Sequence, residues 1–388
     1  MIQRIVLVLG LLCLYACNAK ERKGEKEFIS EQEYNGYEFT SSILYAKGFT
    51  IEKKENYKKI SVYNPWQKDV VWKEYALIPR NKSIPENLPD GIVVVKVPVN
   101  SVCTFSNTHI GPIVKLGLEN KLLGMTRAEK VYNKSISEKV KRGDIANLGG
   151  AHNKNVDIEQ IVELNPELIV LSALNGVKAG EEQLAELGFK LAYSLSWMEE
   201  TPLGRAEWLK FTAAFFNKEK LADSLFKQTE MNYKQLKAKV VNLKTKPNIL
   251  LGWSYKGIWY VPGGKNYMVS YLRDAGANYF LFDDETRGNI PMSVESVLDQ
   301  CSQADIWIYP GISKSLNDIE NSGEIFTQFK AFKNKEIYNI YKRTNDYGAS
   351  DWWETGSLRP DLVLKDFIQV LHPDLLPQDT TYYMNNLN

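Results

Sequence analysis

Two acids stand at matched positions in this sequence: Glu159 within Asp157-Ile158-Glu159-Gln160-Ile161-Val162, and Glu295 within Ser293-Val294-Glu295-Ser296-Val297-Leu298. In both, apolar residues recur at i, i+3 and i+4 with the acid off the apolar stripe, and a β-type run follows, Leu168 to Leu171 and Ile306 to Tyr309. A lone carboxylate on the open face of a short helix is suited to pairing with a partner's cation. The repetition therefore implies two related α/β lobes, each offering an acid in the same place to something that docks on both. The plainer alternative is a pair of solvated surface acids.

A second group has the chemistry of ligand recognition. Trp253, Tyr255, Trp259 and Tyr260 cluster around one strand, and Tyr347, Trp352 and Trp353 lie in Thr344-Asn345-Asp346-Tyr347-Gly348-Ala349-Ser350-Asp351-Trp352-Trp353-Glu354. Indoles among Asp, Asn and Gly follow no core-facing period. They suit the wall of a cleft that holds a large, partly apolar ligand, with local loop packing as the alternative. Arg127, Arg287 and Arg359 can supply charge toward an anionic ligand, although each alone also fits a surface or salt-bridged residue. The three histidines, His109, His152 and His372, are far apart, and none has a metal-ligand partner at helical spacing. Capping or polar-network duty is their ordinary reading. His109 and His152 differ from His372 in following strands, where open α/β sheets place ligands.

Enzyme signatures are missing or spoiled. Gly252-Trp253-Ser254-Tyr255-Lys256-Gly257 has one residue too many for a nucleophile elbow, and Gly263-Gly264-Lys265-Asn266 lacks the distant glycine and the Ser/Thr of a phosphate loop. No catalytic residue, cofactor or resident metal is expected. The 48 basic and 47 acidic residues form no basic block, which argues against a nucleic-acid partner.

The elements that must position these groups read as follows. Met1 to Cys17 has a charged start, an apolar core too short to span a bilayer and a small residue before the break, the marks of a secretory signal. Leu14-Tyr15-Ala16-Cys17 resembles the bacterial lipobox, which implies that Cys17 is diacylated and becomes the new N-terminus, an ordinary secreted protein being the alternative. Residues 18–36 are a polar, Lys/Glu-rich tether. Residues 37–200 form an N-terminal lobe whose first part, 37–90, alternates as antiparallel strands. Strand-helix units follow, with strands at Ile92 to Val97, Ser101 to Phe105 and Lys121 to Met125. Residues 203–243 are helical, broken at Asn217, and the second helix would be about 40 Å long, enough to reach from lobe to lobe. Residues 247–388 form a C-terminal lobe with strands at 249–253, 306–309 and 337–341. The fold class is α/β: two doubly wound lobes joined by a single long α-helix, with an added N-terminal β segment. Cys103 and Cys301 fall in different lobes and are read as separate buried thiols.

With these residues in view, the chain resembles the class III substrate-binding proteins of ATP-binding-cassette importers, which carry iron-siderophores, haem and cobalamin. The resemblance covers roughly residues 91–376. It rests on Thr108-His109-Ile110 through Leu116-Gly117-Leu118, on Leu123-Gly124-Met125-Thr126, and on Asn147-Leu148-Gly149 before Ile158-Glu159 through Ile169-Val170. Trp253 with Pro262-Gly263-Gly264, and Ser350 to Arg359 with His372-Pro373, fit as well. Ser350-Asp351-Trp352-Trp353-Glu354 with Arg359 is similar to the ligand-side loop of the cobalamin-binding member. Thr355, where that member has a basic residue, and the absence of tryptophan from Gly149 to His152 turn the expectation toward an iron chelate, with cobalamin or haem as alternatives. The resemblance implies a monomeric binding protein in the cell envelope, lipid-anchored and facing the periplasm. It further implies a ligand held between the lobes and a permease dimer whose arginines meet Glu159 and Glu295. A chelatase-like enzyme on the same frame is the other class left open, and it would need a titratable pair in the cleft.

Replacing Cys17 by Ser is expected to release the protein from membranes or leave the precursor uncleaved. Intact mass and membrane fractionation in the native host check this.

Overall fold

The computed structural model describes residues 41–150, 156–173 and 179–388. The strands that open it are β1 (Phe49–Lys53), β2 (Lys58–Tyr63), β3 (Val71–Pro79) and β4 (Val93–Val97). β1, β2 and β3 pair antiparallel, and β4 joins β3 in parallel. Ile92 to Val97 therefore belongs to the added sheet and does not begin the doubly wound lobe, a correction to the sequence reading. The reason is register. Tyr75 and Leu77 of β3 stand beside Val93 and Val95 of β4, so β4 extends the same apolar face.

The first doubly wound sheet is β5 (Val102–Thr104), β6 (Leu122–Met125), β7 (Ala146–Asn147), β8 (Leu168–Leu171) and β9 (Leu191–Tyr193). All five strands are parallel, in the spatial order β7-β6-β5-β8-β9. Helices α1 (Ile110–Lys115), α2 (Lys134–Arg142), α3 (Ile158–Leu164) and α4 (Ala179–Glu186) lie in the crossovers. β8 is buried at every position, as a strand covered on both faces must be.

Thr201 caps α5 (Pro202–Phe215), accepting the Gly204 N–H at 3.1 Å. Asn217 then takes a left-handed turn, φ 54°, and α6 (Glu219–Lys239) begins. At about 1.5 Å per residue, its 21 residues span about 32 Å. Both helices serve two cores. Trp208, Phe211 and Ala222 pack in the first, while Leu203, Ala206, Phe226 and Tyr233 pack in the second.

The second half contains β10 (Ile249–Leu251), β11 (Ser254–Tyr255), β12 (Ile258–Pro262), α7 (Tyr267–Asp274), β13 (Asn289–Ser293), α8 (Val294–Cys301) and β14 (Ile306–Ile308). Then come α9 (Leu316–Asn321), α10 (Lys330–Lys333), β15 (Ile337–Asn339), α11 (Asp351–Thr355), α12 (Pro360–Leu371) and β16 (Asn385–Asn386). β10, β14 and β15 run parallel, β16 pairs antiparallel at the edge, and β11-β12-β13 is a separate antiparallel sheet. Cys103 and Cys301 are free thiols in separate cores, each pushed up to about 12 by burial.

Buried acids fasten the added sheet to the helix pair. Glu207 of α5 accepts the backbone N–H groups of Leu44, Tyr45 and Ala46 at 2.7 to 3.0 Å, and Glu199 accepts those of Lys47 and Gly48. Lys58 of β2 pairs with Glu219 at the start of α6, both side chains having no exposure. Lys58→Met alone leaves Glu219 buried without its cation and is expected to cost about 3–5 kcal/mol of stability, whereas adding Glu219→Leu should restore most of it. Denaturant midpoints of the wild type and the two variants check this.

Candidate functional site

In the first sheet the strand order reverses between β5 and β8, and that crevice is where an open α/β sheet binds ligands. Ser106, just past β5, caps the short turn Asn107–His109 by accepting the Thr108 N–H. His109 is thereby set over the switch point, its Nε2 2.9 Å from Ser172 Oγ beyond β8. Burial pushes the imidazole down to about 4, so it stays neutral near pH 7. Arg127 follows β6 in the left-handed region, φ 54°, which turns its exposed side chain out of the strand. Its guanidinium has no ion-pair partner among the described residues. His152 lies outside the described residues.

The second sheet brings aromatic rings to its strand ends. Trp253, after β10, stacks on Phe326 at 4.5 Å and on Trp307 at 5.5 Å, and Gly311 packs so closely that a Cβ there would sit 2.9 Å from the indole. Tyr309 follows β14 with φ 60°, and its ring lies 6.5 Å from both Tyr341 and Trp353. Burial raises the Tyr309 phenol, which also hydrogen-bonds Tyr341, so it is a neutral hydroxyl. Arg205 of α5 lies 3.9 Å over the Tyr267 ring nearby.

The strand ends of the two sheets meet along one seam. Glu354 of α11 accepts the Tyr132 and Asn133 backbone N–H groups, the latter at 2.9 Å. Lys130 Nζ donates to the Tyr347 carbonyl at 2.7 Å, and Asn345 Nδ2 donates to the Val131 carbonyl at 2.8 Å. Gly111 of α1 touches the Glu354 carbonyl so closely that any side chain there would clash, a Cβ falling 1.9 Å from the oxygen. Leu358 belongs to the first core. Residues 345–358 thus lie against the first lobe although in sequence they sit within the second, between β15 and α12.

Several expected site residues lie elsewhere. Trp259 is fully buried and donates its indole N–H to the Leu251 carbonyl at 3.1 Å, and Trp352 is buried edge-on against Tyr383. Both are core residues: Trp259 takes an inward position in the alternation of β12, and the helix Asp351–Thr355, where a loop was expected, turns Trp352 inward and Trp353 outward. Arg287 pairs with Glu200 at 2.7 Å. Arg359 pairs with Asp361 at 2.9 Å and borders a cavity of about 170 Å³ among α1, α5, α6 and α12, too small for a chelate. Tyr255 and Tyr347 are exposed, the first on β11 and the second on the seam. A cavity of about 540 Å³ lies between β4, β9 and α4, and it holds none of the expected residues. Tyr309, Tyr341 and Arg205 were missed. Tyr309-Pro310-Gly311 directly after an apolar strand was the available signal.

The carboxylates along this seam are engaged by other protein groups. Glu354 has both oxygens engaged by backbone N–H groups, Asp351 binds Arg343 and Thr355, and Asp361 binds Arg359. Among the described residues no three His, Cys, Asp or Glu could hold a metal ion, and no helix is long and apolar enough to cross a membrane. Among the described residues the strand ends offer aromatic faces, phenol hydroxyls, the His109–Ser172 pair and the Arg127 guanidinium. Glu159 and Glu295 are exposed, each the second residue of its helix, beneath the caps Asp157 and Ser293.

A family model described as periplasmic binding protein matches residues 102–344, from β5 to just past β15. A lipoprotein of Methanocaldococcus jannaschii is 26% identical over 99% of this chain and 96% of its own length. A second lipoprotein of that organism is 28% identical over 81% of this chain and 80% of its own. Among solved structures, Helicobacter pylori CeuE in a nickel–histidine complex superposes with a TM-score of 0.56 at 16% identity, covering 73% of this chain and 86% of that one. The periplasmic haem-binding protein HutB of Vibrio cholerae gives 0.52 at 18% identity, covering 68% and 98%. At such identities the likeness is one of fold.

Burial pushes the Glu354 carboxyl up to about 7. A carboxyl raised on folding contributes stability that is complete below its unfolded pKa, near 4.5, and is lost as pH rises through about 7. The melting temperature of the wild type relative to Glu354→Gln is therefore expected to fall between pH 5 and pH 8, which paired thermal scans across that range will measure.

Proposed function

Because this chain belongs to the periplasmic binding protein family, we propose that it captures a metal chelate, an iron-siderophore or related iron complex, and delivers it to an ABC importer. The observation that carries this reading is the seam of strand ends, where Trp253, Tyr309, Tyr341 and Trp353 offer rings and hydroxyls while Arg127 offers charge. A ferric chelate presents that combination: apolar or aromatic arms around an anionic oxygen shell. Haem is the second reading, favoured by the fold shared with a haem-binding protein and by flat rings at the strand ends. We ascribe no catalysis to the chain, in keeping with its membership of a binding-protein family.

Delivery needs a second surface. Glu159 and Glu295 occupy the same helical position in the two lobes, and a permease built on a two-fold axis presents two equal cationic patches that such a pair would satisfy. Charge pairs of this kind set orientation and association rate and weaken with salt. Anchoring through lipid at Cys17, which lies outside the described residues, would hold the protein near that permease. The lipoprotein names of relatives that span most of the chain support it.

Titration with a ferric trihydroxamate, a ferric tris-catecholate, haem and cyanocobalamin, followed by tryptophan fluorescence, should single out one of them by quenching. Tyr309→Phe and Trp353→Ala should each weaken that ligand about tenfold or more, as central anchors do. Affinities unchanged in both variants would move the site away from the seam. Glu159→Arg with Glu295→Arg should abolish uptake while ligand affinity and melting temperature stay at wild-type values, and undiminished uptake would refute the docking role.

A further inference from the structure

The antiparallel sheet β11-β12-β13 has a face that its own lobe does not use. Trp259 and Val261 of β12 point into the second core, so Ile258 and Tyr260 point away from it. Their opposite numbers share that outer face: Tyr255 beside Ile258 on β11, and Ser293 and Pro291 beside Ile258 and Tyr260 on β13. Tyr255 is 65% exposed, Tyr260 43% and Ile258 42%. Two tyrosines, an isoleucine and a proline thus form an apolar shelf open to solvent, the kind of patch that marks a binding surface. Ser293, at the edge of the shelf, is the N-cap of α8, and Glu295 stands two residues beyond it. Its carboxylate has no ion-pair partner among the described residues. Beside Glu159, by contrast, Val162 at 49% is the exposed large apolar residue of its helix, and among the described residues no such sheet adjoins it.

We propose that this shelf is the apolar half of the docking surface for the importer's membrane-spanning subunit, with Glu295 at its charged rim. This rests on the receptor reading above and adds to it that the two lobes dock unequally, the second through apolar burial as well as charge. The rim charges select among occupants. Lys256, its Nζ 5.4 Å from the Tyr255 ring, gives the shelf a cation as well, so an anionic bilayer would meet attraction and repulsion together, whereas a folded protein surface can match both signs. A surface that pairs an apolar hollow with a basic side chain satisfies both halves, and buried aromatic anchors ringed by polar groups are how such interfaces gain their affinity.

The test is a photo-crosslinking residue, benzoylphenylalanine, placed singly at Ile258, Tyr260, Glu159 or Glu295 of the full chain in its native host. Val241, 72% exposed just past α6, serves as background. Positions 258 and 260 should give adducts with the importer's membrane-spanning subunit about tenfold above background, and Ile258→Ser with Tyr260→Ser should lower the adduct at position 295 about tenfold. The inner face of β12 is unaltered by these substitutions, so the melting temperature should hold. Importer adducts at 159 and 295 but none at 258 and 260 would overturn the shelf and leave the receptor reading standing. Lipid adducts or chain dimers alone at 258 and 260 would overturn it in favour of those occupants. The absence of importer adducts at all four positions would sink both.

Discussion

A carboxylate taken out of water has to fill its lone pairs, and this fold meets that demand by drawing in chain from far away in sequence. Glu207 and Glu199 collect the backbone N–H groups of residues 44 to 48. Glu219 holds Lys58, Glu354 holds Tyr132 and Asn133, and Asp366 holds Tyr382, Tyr383 and Met384. Each acid joins segments that hydrophobic burial alone would leave free to slide, because apolar contact is non-directional whereas these bonds fix a register. Removing any of them strands a buried charge or a set of buried donors, which costs more than a lost contact.

The consequence for function lies in where these fastenings fall. Those on α5 and α6 bind the added sheet to the helices that both cores share. The one on α11 closes the second lobe onto the first beside the strand ends. The surface between the lobes is therefore set by the frame, and a group that bound there would be spared the cost of ordering it. Tyr309 and Arg127 fit that picture, since both sit in the left-handed region at strand ends, conformations that surrounding structure must hold in place.

The regular elements were legible because apolar periodicity marks them. α3 and α8 with their acids, the break at Asn217 and most of the parallel strands could be read from spacing. The sheet to which Ile92 to Val97 belongs was not, since a short apolar strand carries no sign of which neighbour it will pair with. The site was less legible still. Trp352 and Trp353 are adjacent and chemically identical, and only the helix at 351–355 decides that one packs on Tyr383 while the other faces Tyr309. Arg287 and Arg359 look in sequence like Arg127, yet a carboxylate at 2.7 and 2.9 Å has claimed the first two. Whether an arginine is free is a property of its neighbours, and sequence does not state who they are.

The five backbone donors of residues 44 to 48 also define a load path. β1 is an edge strand paired to β2 alone, and a pull applied to its end would otherwise unzip it one hydrogen bond at a time. Force arriving from the N-terminal side instead reaches the clamp on Glu207 and Glu199 first, where several charge-assisted bonds share it at once. The tension then passes through Glu207 into α5 and through Glu199 into the turn just before it. A pull on residue 44 would thus be borne by the shared helix before it reached the strand ends of either sheet.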